Sequence, residues 1–335
     1  MGFIGALLIV LLHVKPTPTT EFENWIVDFV YSKSGFPGVA VPMFFGLSGY
    51  LLASRISEGG WWQNAIKKRT RTLLIPFYAW TLILISTKLV LYVLSQCFNY
   101  PLLTPDPFKN GFDWLIIEAL GLDVFHLTNI VWYLRSLFLM VIISPIFVFI
   151  IKRGIVPTIL LGLFLLGIHH YGPYSPSGNY WIDSFLTNGL YIGGLLPFVL
   201  GIILRVYPIC VANLTKSFLL GGGLWCILVI ASYLFKTTIL SYFINILDVF
   251  LIYQFSCIVK FPSWINDLSI RIYLSHMVFK WILATVISVI GLHEIWAKVV
   301  FWPFLYLIIV SLSILFALKT KNKCPRIEDI LFGGR

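Results

Sequence analysis

Apolar residues in this chain come in long, nearly unbroken runs, not at the three- or four-residue spacing of a helix that turns one face to water. Stretches such as "LLIPFYAWTLILISTKLVLYVL" and "FLMVIISPIFVFII" are typical. A run of about 18 or more such residues covers roughly 30 Å of hydrocarbon as a helix. Ten runs predict helices near 2–14, 37–55, 72–96, 131–151, 155–170, 187–204, 216–235, 241–259, 269–290 and 298–318. The polar–apolar alternation that a spanning β-barrel needs is not seen in them. The expected fold class is therefore all-α: a polytopic membrane bundle of about ten transmembrane helices.

Composition agrees with that pattern. The 335 residues are 59% hydrophobic and 11% charged, with a mean hydropathy of +0.91, whereas about a quarter of a soluble domain is charged. The net charge of +10 would suggest nucleic acid in a soluble protein, but in a bilayer its distribution carries the meaning. Basic clusters at Lys67 to Arg71, Lys152 with Arg153, Arg205 with Lys216, and Lys319 to Lys323 fall at alternate ends of successive runs. Those ends are predicted cytoplasmic, and an even number of crossings places both termini there. The division that follows is a membrane domain over 1–320 and a short cytoplasmic tail over 321–335. The first run ends at His13 with no small-residue cleavage site behind it, so it reads as a helix and not as a signal peptide. Five cysteines without CxxC spacing read as packing residues, with neither a disulfide framework nor a metal site expected.

Segments 15–36, 97–130 and 171–186 are predicted external loops. They are rich in acids (Glu21, Glu23, Asp106, Asp123, Asp183) and aromatics (Trp25, Tyr100, Trp114, Tyr174, Trp181). Such surfaces suit sugars, whose C–H faces stack on rings; an interfacial aromatic belt is the competing reading.

Polar groups inside spanning helices are costly and mark function by default. Here they are His13, Ser48, Tyr50, Lys88, Arg135, Asp248, His276 and Lys280. Lys88 and Lys280 have stems long enough to snorkel to an interface, and Asp248 is expected to face a partner such as Arg135 or a watery cavity. His13 stands roughly 16 Å beyond the start of the first helix, near mid-membrane, where imidazole suits a general base. The other reading of a lone histidine is a hydrogen-bonded core residue. In "VAVPMFFGLSGYLLA", Gly49 allows close approach of a helix or ligand, flanked by the hydroxyls of Ser48 and Tyr50. Four basic residues then precede the third helix in "WWQNAIKKRTRTLLIPFYAW". Cations there can clamp phosphate or simply set topology.

Taken in order, "LLIVLLHV", "VAVPMFFGLSGYLLA", "KKRTRTLLIPFYAW", "IVWYLRSLFLMVIISP" and "SIRIYLSHMVF" resemble the acyltransferase 3 family of bacterial integral membrane acyltransferases. The resemblance runs from His13 to about residue 320. It implies transfer of an acyl group, commonly acetyl, from cytoplasmic acyl-CoA to a hydroxyl of a cell-surface or exported glycan, in the bacterial cytoplasmic (inner) membrane. On that resemblance His13 matches the first-helix catalytic histidine, Ser48, Gly49 and Tyr50 the Ser-Gly motif, and Arg69 and Arg71 the basic motif. The family usually carries an arginine eleven positions ahead of the histidine, where this chain has Gly2.

The expected chemistry is O-acyl transfer: His13 deprotonates the acceptor, Ser48 or Tyr50 stabilises the oxyanion, and Arg69 and Arg71, helped by Lys67 and Lys68, hold the phosphates of CoA. No metal is expected, since His169 and His170 are adjacent and point different ways. Partners are acyl-CoA, a glycan or polysaccharide acceptor and membrane lipids, and not nucleic acid. The alternative is a transporter or flippase for a glycan or lipid-linked sugar, for which the chain shows no inverted repeat.

Overall fold

In a computed structural model of the chain, the described residues are 2–16, 20, 21, 23, 24, 27, 40–98, 130–171, 192–208, 214–235, 238–259, 262–292 and 301–334. They are all-helical, 89% helix with no strand among them. The elements are α1 (Gly2–His13), α2 (Ala40–Ala53), α3 (Trp61–Arg69), a π-helical turn (Thr70–Leu74), α4 (Ile75–Phe98), α5 (Trp132–Lys152) and α6 (Ile155–Tyr171). After these come α7 (Ile192–Val206), α8 (Leu214–Phe235), α9 (Thr238–Ile258), α10 (Ser263–Val289), α11 (Trp302–Lys323) and α12 (Pro325–Phe332). Each of the ten apolar runs carries a helix. Among the described residues, four helical stretches are long and apolar enough to cross a membrane: Trp61–Phe98, Trp132–Lys152, Ser263–Val289 and Trp302–Lys323.

The side chains sort as a bilayer would sort them. Val90 and Val93 on α4, Ile146 and Phe149 on α5, Leu160 and Phe164 on α6, and Phe304 and Leu307 on α11 are all exposed, an apolar exterior that water would penalise and hydrocarbon does not. Inside, the helices have to approach closely, because lipid tails give no hydrophobic drive for association and packing must supply it. α2 and α7 meet through glycine: a Cβ on Gly49 would stand 2.0 Å from the Phe198 carbonyl oxygen, and one on Gly201 1.9 Å from that of Gly46. The neighbour that Gly49 admits is thus helix α7. α1 packs chiefly on α10, which in turn packs on α11, while α8 packs on α9 and α9 also meets α2.

The π-helical turn has a local cause. Pro76 offers no N–H to the carbonyl four residues back and its ring crowds that carbonyl. The chain widens for one turn, with the Ile75 N–H reaching the Thr70 oxygen. Such turns change which way the preceding side chains face, here the basic cluster.

The segment expected to be a tail contains α12, which is docked on the bundle. Trp80 Nε1 donates to the Leu331 oxygen at 2.8 Å, Phe332 is fully buried against Trp80 and Phe316, and Glu328 pairs with the fully buried Arg271. Two further expectations are revised. Lys88 does not snorkel: it is 1% exposed, its ammonium 4.5 Å over the Trp281 ring, a cation–π contact of the desolvated kind. The four described cysteines, Cys97, Cys226, Cys257 and Cys324, are free thiols on the exterior and not in the packed interior.

Candidate functional site

Three helices and the basic turn converge on one space. The Phe44-to-Leu51 face of α2, Tyr133, Leu134 and Leu137 of α5, and the start of α10 enclose a cavity of about 420 Å³. Arg69, from the end of α3, also lines it, half-buried and near Tyr133 and Arg55. At the mouth stands Asp267, 44% exposed and 3.4 Å from Lys321 Nζ. The lining is apolar apart from the hydroxyls of Ser48, Ser269, Tyr133 and Tyr273 and these two charges. That composition admits a mostly apolar ligand with a few polar groups to meet the hydroxyls and the two charges.

The deep end is shaped by two tyrosines held in place by backbone. Tyr133 donates to the Phe44 oxygen at 3.2 Å, and its hydroxyl also stands 3.2 Å from Ser48 Oγ. Tyr273 donates to the Ile130 oxygen. The two rings meet edge to face, centroids 5.9 Å apart. One turn further along α10 stands His276, its ring 6.4 Å from that of Tyr273, and beyond it His13, 5.3 Å from His276. An aromatic file thus connects cavity and histidines: Ser48, Tyr133, Tyr273, His276, His13.

The residues singled out from the sequence divide accordingly. Ser48 and Arg69 line the cavity. His13, half-buried, does not line it, but is joined to it through His276 and Tyr273. Tyr50 belongs to another face of α2, as residues two apart on a helix are about 200° apart. Its hydroxyl accepts from Arg205 Nη1 at 3.3 Å, and its ring faces Tyr253 at 5.7 Å. Arg71 points outward, 3.6 Å from Asp329 of α12, with side chains 67% and 51% exposed. Lys68 is exposed. Gly2 also lines the cavity mouth, where a Cβ would stand 2.8 Å from Ser269 Oγ.

Tyr133, Tyr273, His276 and Asp267 have no role in the chemistry expected from the sequence. The first three lie inside "WYLR" and "YLSH", so their motifs are visible, but nothing in the sequence ties them to Ser48 or His13. Asp248, buried on α9, has Trp225 of α8 as its hydrogen-bond neighbour, away from the cavity. The described residues contain no cluster of His, Cys, Asp and Glu able to hold a metal ion.

A family model described as an acyltransferase domain, acyltransferase 3, matches residues 3–318 of the chain. No curated protein and no solved structure matches it.

Proposed function

The chain belongs to the acyltransferase 3 family, a family of membrane acyltransferases, over residues 3–318, and on that premise we propose that it moves an acyl group from acyl-CoA to a glycan hydroxyl. The observation that carries the reading is the cavity that brings Arg69 and the Ser48–Tyr133 hydroxyl pair into one space. Arg69 meets a phosphate of CoA, and the thioester reaches the hydroxyls. The acceptor comes from the opposite side, toward His13, with the Tyr133–Tyr273 pair as the partition where the two meet.

His13 takes the proton from the acceptor hydroxyl as the oxygen attacks the thioester carbon. The oxyanion that forms is met by the Ser48 and Tyr133 O–H groups, which turn to it from the Tyr133 and Phe44 oxygens that they face in the structure. Collapse breaks the C–S bond, and the CoA thiolate takes back the proton from the His13 imidazolium. The donor of choice is acetyl-CoA and the acceptor a cell-surface or exported glycan; the membrane is the bacterial cytoplasmic membrane, with the Arg69 end facing the cytoplasm.

Turnover of acetyl-CoA by the detergent-purified protein tests the reading against its rival, since a transporter or flippase consumes no thioester. Wild type is expected to release CoA thiol and His13→Ala to lose at least about a hundredfold of that rate, the lower end of general acid–base contributions. Equal thiol release from the two proteins contradicts the assignment of His13.

A further inference from the structure

His276 is fully buried and is an ionisable group that the mechanism above leaves unused. Its Nδ1 lies 2.7 Å from the Tyr273 oxygen and 3.2 Å from the Ile272 oxygen. A ring nitrogen facing carbonyl oxygens at those distances carries the hydrogen, so in the neutral ring Nε2 holds the lone pair. That acceptor is buried with no hydrogen-bond partner among the described residues. Leaving such a group unsatisfied carries its full desolvation cost.

The neighbouring ring is His13, centroid 5.3 Å away and tilted by 36°. Two imidazoles that share an N–H···N hydrogen bond have centroids about 5 Å apart. At 5.3 Å the rings of His13 and His276 stand at about that separation. The cation near both histidines is Lys280, one turn beyond His276.

We infer that His276 is a positioning residue for His13: its Nε2 accepts a hydrogen bond from the N–H of His13, fixing the tautomer that leaves the other His13 nitrogen free to take the acceptor's proton. The backbone carbonyls of Ile272 and Tyr273 fix His276 in turn, so α10 itself sets the orientation of the base on α1. No proton passes to His276; it steadies the imidazolium until the departing thiolate reclaims the proton. The division of roles is that of a nucleophile–base–orienter triad with a neutral imidazole in the orienting place. The inference rests on the acyl-transfer reading and on His13 as the base.

Two substitutions of similar size separate orientation from packing. In His276→Asn the amide reaches where Nδ1 stood and keeps the tie to the carbonyls, but nothing occupies the Nε2 position. In His276→Gln the amide oxygen reaches the Nε2 position and the tie to the carbonyls is broken. With full-length protein in detergent and acetyl-CoA as donor, the Asn variant is expected to lose at least about a hundredfold in kcat, with KM for acetyl-CoA within about threefold. The Gln variant should retain kcat within about tenfold of wild type. In a His13→Ala background neither change should lower the residual rate further. The reverse order, Asn more active than Gln, or a further loss in the His13→Ala background, overturns the inference. An inactive His13→Ala with an active Asn variant overturns it alone, whereas a wild-type protein that consumes no acetyl-CoA removes it together with the acyl-transfer reading.

Discussion

At the scale of single residues, the two arginines of the basic motif differ in environment although they stand two positions apart. Arg69 turns into the cavity, half-buried, where an ion pair with phosphate is shielded from bulk water. Arg71 is 67% exposed and already paired with Asp329, in the regime where ion pairs are worth about 0–1 kcal/mol and salt screens them. Removing a charge-assisted hydrogen bond from a shielded site costs about 1.5–3 kcal/mol, or roughly ten- to a hundredfold in affinity. Arg69→Gln should therefore raise KM for acetyl-CoA by about tenfold or more, and Arg71→Gln by about threefold or less, in steady-state kinetics of the purified proteins. Equal effects would mean that the head group is held outside the cavity. The sequence makes both arginines visible and cannot rank them, because the ranking depends on a π-helical turn set by Pro76. It likewise places Ser48 and Tyr50 together by adjacency, while helical geometry sends them to different neighbours. His13 is legible from its depth in a helix; its companion His276 is legible only as one more buried polar group, since their pairing joins residues far apart in the chain.

At the scale of elements, the runs of apolar residues locate the helices well because a bilayer leaves little else for such runs to form. Their ends are less legible, as with α10, which begins at Ser263 and not near 269. The polar "SWINDL" turn at its start belongs to the helix that carries Asp267 to the cavity mouth. α12 escapes a reading of the sequence for a different reason: eight residues with mixed charge make no membrane signal, and its docking depends on Trp80, Arg271 and Phe316 from elsewhere in the chain. The buried Arg271 is engaged by Glu328 and serves this docking. The α2–α7 interface provides the clearest test of packing. A methyl group at Gly49 overlaps a backbone carbonyl, not a side chain that can swing away, so Gly49→Ala must separate the helices. Overpacking of this kind costs about 1–3 kcal/mol or more. A lower thermal midpoint than wild type in the same detergent is expected, together with reduced acyl transfer because Ser48 rides on the same helix. An unchanged midpoint would show that the two helices leave room for a methyl group between them.

At the scale of the whole molecule, the clusters read from the sequence as cytoplasmic each find a neighbour on another helix or turn: Lys152 Nζ donates to the Ile56 oxygen, Arg205 to Tyr50, and Lys321 pairs with Asp267. The cavity mouth lies at the basic end, and His13 lies beyond the deep end. The predicted external loops, with the acids and aromatics expected to greet a sugar, fall largely outside the described residues, so the acceptor side is legible only as composition. Donor entry from the basic end and acceptor arrival from the other is the central claim. It is tested most directly with acetyl-labelled acetyl-CoA supplied to sealed membrane vesicles of the two orientations that hold the protein and its native glycans. Label should enter glycan when the cytoplasmic face is outward, and should not when that face is enclosed; His13→Ala should abolish the incorporation seen with that face outward. Label incorporated only by vesicles with the cytoplasmic face enclosed, or in equal amounts by both orientations, would contradict the account.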